Sequence, residues 1–355
     1  MLELLALVAP ENLGTARAIA FSAFVSVVLV LLALDLGVFH RHAHTVSMKE
    51  ALGWTALWIC LALVFNVGLY FLYEHHVLGL GQGVPVLGSP GETRLVQGAE
   101  AAKTFFAAYV LEKSLSMDNI FVIAVVFTSL GIPSQFQHRV LFWGIVGALV
   151  MRGAMIVAGT ALINHVSWIV YVFGGVLILT AIKMALIRES AQDPAASRVI
   201  GAMKRLIPLT DRFEGQKFFT RIDGKRFATP LFAALVLVEF TDLVFAIDSI
   251  PAVFSITADP FIVFTSNVMA ILGLRSLYFC LASMITKFRY LKPALIVVLA
   301  FAGVKMCLVH TPLKVPMDVS LFVILGVLGL GVASSLIADR VWAASPEPEG
   351  EGGGG

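Results

Sequence analysis

This chain of 355 residues is 59% hydrophobic and only 14% charged, with a mean hydropathy of +0.91, whereas a soluble domain runs at about 45–50% apolar and about 25% charged. The excess falls in runs of about 20 apolar residues, the length that crosses about 30 Å of hydrocarbon as a helix, which excludes an ordinary soluble core. A formal charge of +2 gives no reason to expect nucleic acid. Cys60, Cys280 and Cys307 each sit inside an apolar run, which excludes a disulfide framework and a paired-cysteine zinc site.

The opening MLELLALVAPENLG carries Glu3 and Glu11 and no basic n-region, so it does not read as a cleaved signal peptide. Spans are expected at 17–39, 52–73, 105–130, 140–163, 167–187, 230–254, 262–286, 291–309 and 319–338. The fold class is an all-α polytopic membrane protein of about nine transmembrane helices. Residues 1–104 form an N-terminal segment with two helices, 105–187 a three-helix unit, and 188–229 a loop too small to be a catalytic domain. A second three-helix unit covers 230–309, a ninth helix 310–340 and a disordered tail 341–355. In the 188–229 loop, FFTRIDGKRFAT places Asp-Gly between alternating arms, the signal of a short hairpin. With the N-terminus outside, 16 of the 25 Lys and Arg fall in cytoplasmic segments and four (Arg17, Arg94, Lys103, Lys314) outside. The positive-inside rule then gives N-out, C-in.

An internal repeat organises the middle of the chain. EKSLSMDNI places Glu112 and Asp118 six apart, and DLVFAIDSI places Asp242 and Asp248 six apart, with Asn119 and Ser249 at matched positions. Downstream, LVMRG against LGLRS aligns Arg152 with Arg275, and LTAIKM against FAGVKM aligns Lys183 with Lys305, at offsets of 130, 123 and 122 residues. Three is an odd number, so the second copy enters the membrane the other way up. The expected core is therefore an inverted 3+3 helix repeat with its site near the midplane, the plan of many secondary transporters.

Six acids lie in spans: Asp35, Glu112, Asp118, Glu239, Asp242 and Asp248. Each costs at least ~2.5–3.5 kcal/mol at the bilayer centre when ionised, so each needs a partner or water. Lys113, Arg152, Lys183, Arg275 and Lys305 could neutralise them in a structural lattice. Against a purely structural role, Glu239 shares a helix face with Asp242 at i+3, and like charges at low dielectric are best explained by a bound cation or a shared proton. Oxygen-only ligands suit a hard divalent cation, Mg²⁺, Ca²⁺ or Mn²⁺, carried as cargo with no permanently bound cofactor. Asn119 and Ser249 would add neutral oxygens. A six-residue step turns about 240° and rises about 9 Å, so the paired acids share a face only on a distorted helix. Pro251 offers such a distortion beside Asp248; otherwise the step marks two stations on one path. Asn66 and Asn267 read as interhelical hydrogen-bonders. The HRHAH run at 40–44 and the His75-His76 pair read as interfacial, not as a metal relay.

The stretches EKSLSMDNIFVIAVVF and LVEFTDLVFAIDSIPAVFSIT resemble the signature segments of the TerC family, in particular its Alx-like bacterial members, with likeness from about residue 15 to 340. The resemblance implies an integral membrane protein of the LysE transporter superfamily, in a family named for tellurium resistance and associated with export of divalent metal, chiefly manganese. By motif position it implies transport roles for Glu112, Asp118, Glu239, Asp242 and Asp248, with Asp35 in ALDLGVFHR as a further candidate. The basic residues Arg152, Lys183, Arg275 and Lys305 would balance the acids when metal is absent. The expectation is a secondary transporter, not an enzyme, in a bacterial inner membrane, exporting Mn²⁺ from the cytoplasm. Lipid and divalent metal are its expected partners, protons a plausible counter-ion, and a homo-oligomer is compatible. The rivals are a non-transporting scaffold of a resistance complex and an intramembrane acid-dyad enzyme, the latter lacking a GxGD context.

Overall fold

The computed structural model describes residues 13–37, 47–186, 201, 205, 207–210, 212–222, 224–281 and 290–343. Ten helices carry the fold: α1 Leu13–Gly37, α2 Met48–Glu74, α3 Gly98–Ser129, α4 Ser134–His165, α5 Ile169–Leu186, α6 Pro230–Ile256, α7 Pro260–Leu272, α8 Leu274–Leu281, α9 Leu291–Cys307 and α10 Met317–Ala343. Their starts follow local chemistry. Ser47 caps α2 by accepting the Glu50 amide at 3.3 Å, and Asp259 caps α7 by accepting the Phe261 amide at 2.9 Å, satisfying donors that a helix start leaves open. Pro230 and Pro260 stand in the first turns of α6 and α7, where a missing N–H costs nothing.

Among the described residues six helices, α1, α2, α4, α5, α6 and α10, are long and apolar enough to cross a membrane, or seven if the bent α7–α8 pair is one span. α3 has the length but carries Glu112, Lys113 and Asp118 through its middle, and α9 has only 17 residues. Apolar side chains such as Val64, Val157, Leu179 and Phe322 remain exposed on the outer faces, as a lipid-facing surface requires. Apolar burial drives helix association weakly in lipid, so close backbone approach matters more. α5 and α9 meet in that way: a Cβ at Gly174 would lie 2.8 Å from the Gly303 carbonyl, and one at Gly303 would lie 2.7 Å from the Gly174 carbonyl.

The expected span 262–286 is not one straight helix. It breaks at Gly273 into α7 and α8 with a bend of 42°. Its neighbours press into the break: a Cβ at Gly273 would lie 2.8 Å from Lys113 Nζ and 3.0 Å from Trp58 Cβ. Lys113 donates to the Ala270 carbonyl at 2.9 Å near the end of α7, where orphan carbonyls and the helix dipole favour a cation. α6, in contrast, runs through Pro251 as one helix.

The hairpin expected in FFTRIDGKRFAT is present. β3 Phe219–Ile222 pairs antiparallel with β4 Lys225–Ala228, closing at Ile222 opposite Lys225. Gly224 takes φ +75°, which a two-residue turn of this kind requires. Thr229 ties the hairpin to the start of α6 by donating to the Lys217 carbonyl at 2.8 Å. A second hairpin, β1 Val84–Val86 with β2 Ser89–Arg94, lies between α2 and α3. His310 clasps its turn at the Gly88 carbonyl and pairs with the Tyr171 hydroxyl at 2.9 Å.

Candidate ion site

α3 and α6 pack against each other, and each presents two polar side chains seven residues apart: Glu112 and Asn119 on α3, Asp242 and Ser249 on α6. Seven residues complete about two turns, so each pair shares one face about 10.5 Å long. Arg152 enters from α4, which packs on α6. Its Nε donates to Asp242 Oδ2 at 3.2 Å and its NH2 to Asp242 Oδ1 at 3.0 Å, a two-pronged grip. Its NH1 donates to Glu112 Oε2 at 2.8 Å, with Asn267 Oδ1 at 3.2 Å and Ser249 Oγ at 3.5 Å.

Asn267, from α7, donates its own amide to Glu112 Oε1 at 2.8 Å, and Asn119 donates to Asp242 Oδ1 at 3.0 Å. Glu112 is 0%, Asp242 4% and Arg152 4% exposed, so water does not screen these charges. Two carboxylates and one guanidinium give the cluster one excess negative charge when both acids are ionised. Desolvating such a group is expensive, and its survival in the interior is no argument for stability alone.

Two polar atoms beside the cluster have no hydrogen-bond partner. The Asn119 side-chain oxygen is buried and unpaired although its amide nitrogen is used, and Glu239 Oε2 is buried and unpaired one turn before Asp242. The Glu239 carboxylate presses on α4 at Gly147, where any Cβ would overlap it.

The other expected site residues sit elsewhere. Asp248 faces α5, accepting from the Thr180 hydroxyl at 2.7 Å, and feels the charge of the exposed Lys183. The separation follows from the 240° turn between Asp242 and Asp248 on a helix that stays regular enough to keep them apart. Lys305 donates to the Ser255 carbonyl at 2.7 Å at the end of α6, and Lys113 goes to the α7 break. Arg275 is buried on α8. Thus Arg152 binds two acids directly, while Lys113 and Lys305 are held by carbonyls at helix ends. The side chains of Asp35 and Asp118, and the His40–His44 run, lie outside the described residues. Among the described residues no three His, Cys, Asp or Glu side chains converge to hold a metal ion, so the expected carboxylate set does not form one centre there.

Asn267 is the member that sequence reading underused: it is an interhelical hydrogen-bonder as expected, but its partners are the central acid and the central base. Its position in a span facing the acidic one was the available signal. Asp259 was also missed. Besides capping α7 it accepts from the Tyr73 hydroxyl at 2.9 Å, and burial pushes its carboxyl above the usual range while that hydrogen bond and the helix amides hold it down.

A cavity of about 950 Å³ opens beside the β1–β2 hairpin, lined by Ser255, Lys305 and Lys314 with Arg94, Glu100, Lys103 and Asp318. Arg94 pairs with Glu100 at 2.5 Å and Lys103 with Asp318 at 3.8 Å. Its floor at Ser255 is six residues beyond Ser249 on the same helix, a rise of about 9 Å.

A multi-pass helical bundle with a desolvated acid–base–acid cluster at its centre defines an integral membrane protein organised around buried charge. The chain belongs to the TerC family of integral membrane proteins, whose family model matches residues 97–342. It is 48% identical over 320 residues to the membrane protein STKORF319 of Myxococcus xanthus, covering 90% of this chain and 92% of that one. It is 39% identical over 314 residues to a membrane protein of Rickettsia felis, covering 88% and 96%. It is 40% identical over 306 residues, covering 86% and 90%, to an Escherichia coli protein described as a candidate membrane-bound redox modulator, Alx. No solved structure matches the chain.

Proposed function

We propose that this protein is a secondary transporter that exports divalent cations, Mn²⁺ foremost, from the bacterial cytoplasm through the Glu112–Asp242 site. The carrying observation is the fully desolvated pair of carboxylates, from matched positions on α3 and α6, neutralised by only one fixed positive charge. A structural ion pair needs no excess charge; a cation carrier does. The surrounding oxygens of Asn119, Ser249 and Asn267 suit a hard cation. The word redox in the name of the Escherichia coli relative fits a carrier of redox-active transition-metal cargo.

In this reading the core is an inverted repeat of α3–α5 and α6–α9, with α3 and α9 as spans beside the other seven. Its support is that Asn119 of the first copy reaches the acid of the second, and Ser249 of the second accepts from the Arg152 NH1 that holds the acid of the first. Likewise α4 packs on α6 while α7 packs on α3, and α5 packs on α9, a reciprocal pattern that supports a two-fold relation between the units. The basic residues favour an N-out, C-in placement in the inner membrane, with the β1–β2 cavity as the outer vestibule and protons as the counter-ion. Uptake into inverted vesicles across a panel of divalent cations, with the purified protein as the only protein present, tests the reading. Accumulation above protein-free vesicles supports it and separates carrier from scaffold; uptake no faster than in protein-free vesicles refutes it.

A further inference from the structure

We infer that Arg152 is a tethered cation that occupies the cargo position when the site is empty and moves to Glu239 when cargo binds. The inference rests on the transport reading above and assigns Glu239 a role other than metal ligand. The NH1 group of Arg152 sits where a cation would: three oxygens from three helices surround it, Glu112 Oε2 at 2.8 Å, Asn267 Oδ1 at 3.2 Å and Ser249 Oγ at 3.5 Å. Both oxygens of Asp242 close the other side of the guanidinium. A hard divalent ion binds oxygens at about 2.0–2.6 Å, so the same cage would contract by about an ångström around it. Beside the cage the Asn119 side-chain oxygen, on a residue 2% exposed, has no hydrogen-bond partner although its nitrogen is fixed to Asp242.

Cargo and guanidinium cannot share those oxygens, so Arg152 needs a second berth. Glu239 supplies it. Its Oε2 is buried without a partner, and it lies one turn from Asp242 on α6, about 5–6 Å away between Cβ atoms. Its carboxylate rests on α4 at Gly147, five residues before Arg152 on that helix, a rise of about 7.5 Å and a turn of about 140°. The move takes the guanidinium from Asp242 to the acid one turn earlier on α6, around the α4 face that carries Gly147. The charge count closes when cargo is bound. With cargo absent, Arg152 offsets Glu112 and Asp242 in part; with a divalent ion present, the ion neutralises both and Arg152 neutralises Glu239. The cage therefore never holds two naked carboxylates, a state that low dielectric penalises heavily.

The test measures Mn²⁺ binding, by the loss of free-ion electron paramagnetic resonance signal, to purified full-length protein. The variants are Arg152→Gln, Arg152→Lys, Glu239→Gln and Arg152→Gln/Glu239→Gln, alongside Mn²⁺ flux by the unmodified protein. Removing the tethered competitor should tighten binding by about tenfold or more, and removing its second berth should weaken binding by a similar factor, because apparent affinity scales with the vacated fraction. The double variant should bind like Arg152→Gln, since a berth has no use once its occupant is gone. If the double variant instead loses the gain, Glu239 is a metal ligand and the inference is overturned. If Arg152→Gln folds only in Mn²⁺, Arg152→Lys decides: shorter and unable to grip both acids, it should bind more tightly than the unmodified protein, and binding no tighter overturns the inference. Flux by the unmodified protein with the wrong variant pattern sinks the switch and leaves the transport reading standing; no flux and no binding by any variant sink both.

Discussion

The side-chain amide of Asn119 on α3 donates to Oδ1 of Asp242 on α6 at 3.0 Å, across 123 residues of sequence. It ties the second station of one matched helix to the first station of the other, in the buried core. Replacing Asn119 by Ala removes a hydrogen bond to a charged group, which should cost about 1.5–3 kcal/mol. Thermal unfolding in detergent should show a lowered midpoint. No change would mean that the bond is not made in solution.

Arg152 holds both acids, so its loss leaves two buried charges uncompensated. Arg152→Ala should destabilise the protein by about 3–5 kcal/mol, more than any single neutralisation of Glu112 or Asp242. Glu112→Gln in the same chain should restore part of the loss, because the uncompensated charge is then halved. The double-variant cycle, read by thermal unfolding, checks the sign of the coupling.

The α5–α9 contact tolerates no side chain at its closest point. Gly174→Ala or Gly303→Ala should each cost about 1–3 kcal/mol through forced separation of the helices. The half-buried Gly175, one residue away with nothing near its Cβ position, provides the control: Gly175→Ala should be neutral or slightly stabilising.

Opposite placement of the two hairpins is read by labelling. Thr93→Cys on β2 and Lys225→Cys on β4 are both exposed positions. With a membrane-impermeant thiol reagent on intact cells, only Thr93→Cys should react. Labelling of Lys225→Cys without lysis would invert the topology.

Much of this was legible in the residues. Hydropathy marked the six long apolar helices and the bent α7–α8 pair because the bilayer demands apolar runs of fixed length, and Asp-Gly marked the β3–β4 turn because few residues accept its backbone angles. Glu112 and Asp242 stood out in two matched motifs, and the structure joins both to Arg152. Three features were not. The break at Gly273 depends on Lys113 and Trp58 arriving from other helices, which no local pattern encodes. Asn267 looked like any interhelical amide until α7 was placed against α3. The division of the acids, with Asp248 turned to Thr180 and away from Arg152, follows from a helical rotation that was calculable, but whether Pro251 would undo it was not.

The central claim is that cargo passes through the Glu112–Asp242 site, and Mn²⁺ flux into proteoliposomes by Asp242→Asn tests it most directly. Asparagine nearly preserves shape and can still accept from Arg152, so the variant should purify as a folded protein. Its thermal midpoint is to be measured in the same preparation as its flux. The account predicts a folded protein whose Mn²⁺ flux falls by about tenfold or more, since a lost carboxylate ligand is worth at least ~1.4 kcal/mol. A folded Asp242→Asn protein that carries Mn²⁺ at the unmodified rate would contradict it.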